Sequence, residues 1–240
     1  MEIVFGGLAG AFPCLMFAGV AALIVVGIVY GIRKARERRE AMARLAAELG
    51  LQHYADDPWD IPVRYQRFSL FGQGHSRRAS NILAGQIDGR SVMLFDYRYT
   101  TGSGKNQTTH YYRAGILQTP ITAPKLTLRP ESILDSVASW VGYDDIDFES
   151  DEFSRRYFVK CEDRKFAYDI FHALLIDYLL RCGTAPAMEM QGPLLLVYDN
   201  GSGQAEDYRR LLMIGQTVVN MIPDYVRSAR AAAQPPGGQL

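Results

Sequence analysis

The fold is decided by the stretch between residues 81 and 118, which reads NILAGQIDGRSVMLFDYRYTTGSGKNQTTHYYRAGILQ. Asp88-Gly89 is the strongest kind of two-residue signal for a β-hairpin. The segments on either side, 81–87 and 91–100, predict two strands, the second of them dense in aromatic and β-branched residues. A polar, glycine-rich loop follows, and 108–118 predicts a third strand. The stretch therefore predicts a meander of antiparallel strands.

The chain after this meander predicts helices mixed with further strands. The predicted elements are a strand over 125–128, a helix over 132–141, strands over 145–148 and 155–161, a helix over 163–181, a hairpin over 188–198 turned at Gln191-Gly192, and a helix over 207–221. The loops between strands are too short for the crossover helices that a parallel sheet requires. The predicted fold class is therefore α+β, a mainly antiparallel sheet packed with about three helices.

An apolar segment precedes this domain, because residues Ile3 to Ile32 contain no charged side chain. About twenty such residues span a bilayer, so a transmembrane helix is predicted. A cleaved signal peptide is the alternative, but Glu2 and the length of the run disfavour it. The expected organisation is a transmembrane anchor over 1–32, a juxtamembrane helix over 33–50, a cytoplasmic α+β domain over 51–228, and a disordered tail over 229–240.

A basic run follows the apolar segment and predicts its orientation. The run consists of Arg33, Lys34, Arg36, Arg38 and Arg39. The positive-inside rule then predicts a single-pass protein of the bacterial inner membrane with a cytoplasmic C-terminal domain. The expected partners are the bilayer, anionic lipid headgroups at the basic run, and a protein partner or a second copy. Glycine pairs with GxxxG spacing in the apolar segment would permit such a homodimer.

Composition excludes several classes of function. The 26 basic and 26 acidic residues leave a net charge of zero, which disfavours a nucleic-acid partner. The three cysteines, Cys14, Cys161 and Cys182, show no CxxC spacing, so neither a zinc site nor a disulfide framework is predicted. The histidines lack metal-ligand spacing, and His172 is expected to lie exposed on its helix near Asp169. The sequence predicts no catalytic residues, metal or cofactor.

The loop Gly102-Ser103-Gly104-Lys105 has part of the pattern of a phosphate-binding loop. A Walker A motif requires glycine at position 99 and Ser or Thr at 106, where this chain has Tyr99 and Asn106. The segment after the loop also favours a strand rather than a helix. The loop is therefore interpreted as a hairpin turn whose glycines supply positive φ angles.

Basic residues around this hairpin are the candidate binding residues. Gly74 to Arg78 is interpreted as a basic loop, and cations near the hairpin could contact an anion or a protein partner. The candidates are Arg77, Arg78, Arg98, Lys105 and His110.

Two segments resemble an uncharacterised family of bacterial single-pass membrane proteins. They are Gly74 to Arg78 and Phe95 to Asn106, and the similarity extends from the juxtamembrane helix to about Pro223. The resemblance implies a bacterial source and no activity. The sequence therefore favours a non-catalytic protein- or lipid-binding module. The alternatives are a tethered hydrolase of a phosphorylated or lipid substrate, which would use the candidate residues, and a structural subunit of a membrane complex.

Overall fold

The computed structural model describes residues 6–130, 146–183, 185–201 and 203–231, and it places side chains from Ala21 onward. The helix predicted over 132–141 and most of the predicted tail lie outside the described residues. The chain forms two compact units, Met1–Ala41 and Met42–Leu240.

Helices and strands are interspersed along the described chain. The α-helices are α1 Gly6–Leu49, α2 Ile61–Arg64, α3 Asp151–Arg156, α4 Arg164–Ile170, α5 Ala173–Arg181, α6 Ala205–Asn220 and α7 Asp224–Ala229. The strands are β1 Gln52–Asp56, β2 His75–Ile87, β3 Arg90–Thr101, β4 Thr108–Pro130, β5 Tyr157–Cys161 and β6 Ala187–Asn200. Short 3₁₀ turns occur at Ser69–Gly72 and Gly104–Asn106.

The six strands form one antiparallel sheet, which confirms the predicted α+β class. Strands β1 to β4 lie side by side in chain order, and β6 pairs along the other edge of β4. Strand β5 pairs with the C-terminal part of β4. Asp88 and Gly89 form the predicted hairpin turn between β2 and β3, with φ angles of 51° and 74°. Strand β2 begins at His75, so the basic loop predicted over Gly74–Arg78 is wrong from that residue on.

Strand β4 is one continuous strand where the sequence predicts two. Pro120 lies where the pairing with β6 shifts register, between Gln118 and Ala123, and Pro124 lies in the next shift. Proline lacks an N–H group, so it is tolerated at such irregularities. Strand β6 is likewise one strand rather than a hairpin, because Gly192, with φ 59°, pairs with Ala123 across an irregular ladder instead of reversing the chain.

The helix predicted over 163–181 is two helices, α4 and α5. The chain is extended at His172, with φ −73° and ψ 165°, and its ring nitrogen Nε2 lies 3.0 Å from the Met221 carbonyl oxygen. His172 is half-buried, so its predicted exposure is wrong. The carboxylate of Asp169 instead accepts hydrogen bonds from Lys165 and Tyr225. Segment 146–148 is not a strand, although Ile146 donates its N–H to Val159. The sequence also gave no indication of α3 or α7.

Helix α1 corrects the prediction for the N-terminal segment. Within the described residues, no helix combines the length and the apolar character needed to cross a membrane. This finding overturns the predicted transmembrane anchor and, with it, the predicted single-pass placement in the inner membrane. The interfacial role predicted for the basic run Arg33–Arg39 depended on that anchor.

Three apolar clusters hold the second unit together. Aromatic residues on one sheet face pack against segment 61–71, around Phe71, Phe95 and Tyr97. The other face packs Leu94 and Leu117 against the C-terminal end of α1 and α6. The third and largest cluster joins the C-terminal part of β4 to β5 and to helices α3 to α7. The sheet is thus covered on both faces over most of its length. An exposed part of a sheet face is therefore an exception in this fold.

A buried ion pair fixes the covering segment 61–71 to the sheet. Arg129 and Glu189 are both 1% exposed, with 3.4 Å between a guanidinium nitrogen and a carboxylate oxygen. The same carboxylate accepts the backbone N–H of Ser69 at 2.6 Å and the hydroxyl of Tyr198 at 3.4 Å. Burial, followed by the charge of Glu189, raises the pKa of Tyr198, so this hydroxyl stays protonated and donates.

Candidate functional site

The candidate site lies where strands β2, β3 and β4 extend toward the loop at Gly102–Lys105. Side chains alternate between the two faces of a strand, so Tyr97 and Tyr99 point to the aromatic cluster and Arg98 points to the opposite face. Arg98 pairs in register with Arg78 on one side and with Tyr111 on the other. These three side chains therefore form one row across three strands.

All three side chains in this row are exposed. Tyr111 is 51% exposed, and both arginines are exposed as well. The row beyond it contains Thr100 and Thr109, whose hydroxyl oxygens lie 3.2 Å apart. We call the surface formed by Arg78, Arg98, Thr100, Thr109 and Tyr111 the open sheet end.

The open sheet end begins where the helical cover of this face ends. Among the described residues, Asp96 is the last position on this face of β3 with a hydrogen bond to a helix, since the hydroxyl of Tyr208 on α6 donates to its carboxylate. Asn81 also donates to Asp96, at 2.7 Å. Arg98 lies two residues farther along the strand, a displacement of about 7 Å. The open sheet end is thus a strand-built surface next to the contact between α6 and Asp96.

The charges of the two arginines are balanced differently. Arg78 donates to the carboxylate of Asp56 on the edge strand β1, with an N–O distance of 2.8 Å. Arg98 makes neither a hydrogen bond nor an ion pair with any described residue. Like charges directly opposite on neighbouring strands repel each other, and only Arg78 is neutralised by the fold. The open sheet end therefore presents one unneutralised guanidinium beside an exposed phenol ring.

An ion network holds β4 in place next to Tyr111. Arg113 donates to Asp199 at 2.6 and 2.8 Å, and it lies 3.0 Å from Asp207 at the start of α6. Burial raises the pKa of Asp199 and outweighs the opposing effect of Arg113. Burial by itself would raise the pKa of Asp207 as well. The N–H of Gln204 and the charges of Arg113 and Arg210 outweigh burial there, so the pKa of that carboxyl is lowered.

The five candidate residues from the sequence do not share one surface. Arg78 and Arg98 lie on the open sheet end. His110 lies on the opposite face, where its ring stacks on Tyr99 with 4.8 Å between centroids, and its Nε2 is 2.8 Å from the Thr101 hydroxyl. The Arg77 guanidinium donates to three backbone carbonyls, those of Gly72, Gln73 and Gly74, so it caps a turn. The hydrolase alternative requires the five residues to line one cleft, and the described structure places them apart.

Lys105 lies in the hairpin loop itself and is exposed. The loop is a turn, as predicted: Gly102 has φ 79°, and a Cβ atom there would lie 2.1 Å from the Asn106 carbonyl oxygen. The His75 ring nitrogen Nε2 lies 3.0 Å from the Gly102 carbonyl oxygen and ties the loop to β2. A helix does not begin at Lys105, since β4 follows the loop, so the arrangement of a phosphate-binding loop is absent from this described segment.

The candidates from the sequence did not include Thr100, Thr109 or Tyr111 of this surface, nor Asp56, which pairs with Arg78 beside it. The signal for Tyr111 was present, because a hairpin that pairs residue 101 with residue 108 also pairs Arg98 with Tyr111. The contact of Asp56 with Arg78 joins two strands that are distant in the chain, and no local pattern indicates it.

One small cavity lies among the described residues of the interior. An apolar cavity of about 10 Å³ lies in the third cluster, lined by residues that include Leu126, Phe171 and Met190. This volume is about that of one water-sized probe, so the cavity is a packing defect rather than a binding pocket.

Comparison with known proteins supports the fold. No protein-family model matches the chain, and no curated protein matches it either. Its structure is similar to the crystal structure of the mycobacterial trehalose monomycolate transport factor A, TtfA. The TM-score is 0.55 and the sequence identity 14%, with 85% of this chain and 99% of that chain covered. At this identity the similarity concerns the fold alone, and the family resemblance proposed from the sequence stays a prediction.

Proposed function

We propose that the chain is a non-catalytic protein-binding module and that the open sheet end is its binding surface. The observation that carries this proposal is the exposed pair of Arg98 and Tyr111 on a sheet face that is covered elsewhere. Arginine and tyrosine dominate the residues that contribute most to protein–protein binding. A surface built on strands also presents them rigidly, which lowers the entropy cost of binding.

The charge of this surface favours a protein over a lipid partner. Recognition of anionic lipids relies on clusters of about four to eight Lys and Arg residues. The open sheet end carries two arginines, and one of them is neutralised by Asp56. One guanidinium beside a tyrosine suits a single carboxylate on a folded partner better than a charged membrane surface.

The structural neighbour supports an accessory role. That protein is named as a transport factor. We extend to this chain only the general role of a factor, and the protein-binding role proposed for it rests on the exposed pair of Arg98 and Tyr111.

Site-specific photocrosslinking in the full chain tests the proposal. A benzoylphenylalanine residue replaces Tyr111 in cells that produce the protein, and irradiation is expected to yield a discrete crosslinked product. The same residue at Tyr225, which is 58% exposed on α7, serves as the matched control and is expected not to yield that product. Mass spectrometry then identifies the crosslinked protein.

A second substitution shows whether the crosslink reports specific binding. Arg98→Glu reverses the charge beside position 111 and is expected to abolish the product, because the partner's carboxylate then meets a like charge. Persistence of the product in Arg98→Glu, or its appearance equally at position 225, would overturn the proposal.

A further inference from the structure

We infer that the open sheet end binds an acidic side chain of its protein partner between Arg78 and Arg98, and that Asp56 is a built-in competitor for this position. The inference rests on the proposed function, because it names the chemistry of the partner at the same surface. It also assigns a role to Asp56, which that function does not require.

The fold itself shows that a carboxylate fits at this position. Asp56 approaches Arg78 to 2.8 Å, and the pair is highly exposed, with 56% of the Arg78 side chain and 74% of the Asp56 side chain accessible. An ion pair this exposed is held weakly, since solvent screens it. A carboxylate from outside can therefore exchange with Asp56 at little cost.

Arg98 supplies the second guanidinium group that would bind the carboxylate of the partner. Residues directly opposite on antiparallel strands have Cα atoms about 5 Å apart, so the guanidinium groups of Arg78 and Arg98 can reach the same carboxylate. A carboxylate between two guanidinium groups accepts several charge-assisted hydrogen bonds. Tyr111 lies on the other side of Arg98 and offers a ring and a hydroxyl without a partner among the described residues.

The competitor sets the affinity of the site. While Arg78 is paired with Asp56, an incoming carboxylate can form a full ion pair only with Arg98. Removal of the Asp56 charge releases Arg78 to join it. The competitor therefore weakens binding to isolated carboxylates and favours a partner whose other contacts, such as one to Tyr111, offset the exchange.

Binding of a fluorescent hexaglutamate peptide to the full chain, measured by anisotropy at low salt, tests the inference. Asp56→Asn is expected to tighten binding about threefold, because one exposed charge pair is exchanged for another. Arg98→Gln is expected to weaken it about tenfold, because the group that binds in the presence of Asp56 is lost. Arg155→Gln, at an exposed arginine on α3, is the matched control and is expected to leave the affinity unchanged.

Other outcomes would overturn the inference. Equal binding of hexaglutamine, an affinity that Asp56→Asn leaves unchanged, or an equal loss in Arg155→Gln would each do so. Full competition by millimolar inorganic phosphate, or Arg98-dependent binding to vesicles containing anionic lipid without binding to hexaglutamate, would assign the site to phosphate or lipid instead.

The two proposals fail separately. A crosslink at position 111 that depends on Arg98, without binding of hexaglutamate, would leave the protein-binding function standing and overturn the carboxylate-binding site between Arg78 and Arg98. Binding of hexaglutamate with the expected response to Asp56→Asn, without a crosslink, would overturn the protein-binding function and leave a carboxylate-binding site.

Discussion

At the scale of single residues, the position of Arg113 depends on a residue with no side chain. A Cβ atom at Gly203 would lie 2.2 Å from the Arg113 Cδ and 2.9 Å from the Asp207 Cβ. The chain approaches this closely because the network of Arg113, Asp199 and Asp207 joins β4, β6 and α6 at one point. Glycine is thus required there by contact rather than by backbone angle.

We expect Gly203→Ala to lower the free energy of unfolding by about 2 kcal/mol, because the added methyl group displaces Arg113 from its carboxylates. The measurement is urea denaturation of the full chain. Gly183→Ala is the control, since a Cβ atom there meets nothing within 4 Å, and its unfolding free energy is expected to change by less than about 0.5 kcal/mol. Equal stability of the two variants would contradict the close contact.

Two cysteines show how burial changes the reactivity of a side chain. Cys161 and Cys182 are both free thiols and half-buried. Burial raises the pKa of Cys161 to about 11, and it raises that of Cys182 too. Since the thiolate is the reactive form, neither group is primed for nucleophilic chemistry at neutral pH.

At the scale of elements, helix starts follow local rules and helix breaks do not. A helix was predicted to begin at residue 163, and Asp163 caps it there, because its carboxylate accepts the N–H of Phe166 at 3.0 Å. It also accepts a hydrogen bond from Arg230 at 2.5 Å. At the break, the His172 ring instead contacts the Met221 carbonyl, which is remote in the chain. The continuous periodicity of 163–181 could not indicate it.

We expect Asp163→Ala to lower the free energy of unfolding by about 1–2 kcal/mol, because α4 loses its N-terminal cap. Thermal or urea denaturation of the full chain provides the measurement. Asp177→Ala is the matched control: Asp177 pairs with Arg181 one turn away on the exposed side of α5, and such pairs contribute about 0.3–0.5 kcal/mol. A larger loss in Asp177→Ala than in Asp163→Ala would contradict the capping role.

Strand lengths show the same distinction between local and remote causes. The turn at Asp88-Gly89 was predicted because its chemistry is local. Strand β4 was predicted as two pieces because proline interrupts strands in general. The partners of β4 change near Pro120 and Pro124, and this arrangement is a property of the sheet rather than of the segment.

At the scale of the whole molecule, the apolar clusters lie in the second unit. The buried core residues of the described chain begin at Met42, and the clusters draw on no residue before it. A unit with its own core is expected to fold alone. The position of the boundary inside α1 could not be predicted, because the helix itself continues across it.

We expect residues 42–240 to fold without residues 1–41. The fragment should unfold in urea in one cooperative transition, since its three clusters are intact. Its near-ultraviolet circular dichroism should show the signal of ordered aromatic side chains. A gradual transition, or strong binding of a dye that reports exposed apolar surface, would show instead that the first unit is needed for folding.

The sequence by itself determined the antiparallel meander, the hairpin at Asp88-Gly89 and the start of α4 at Asp163. These features depend on turn chemistry, strand-forming residues and capping, which act between near neighbours in the chain. Only the tertiary structure decided that Asp56 reaches Arg78 and that Arg77 and His110 lie away from the open sheet end. Strand order and register determine those contacts, and they follow from the burial of the whole core rather than from any local segment.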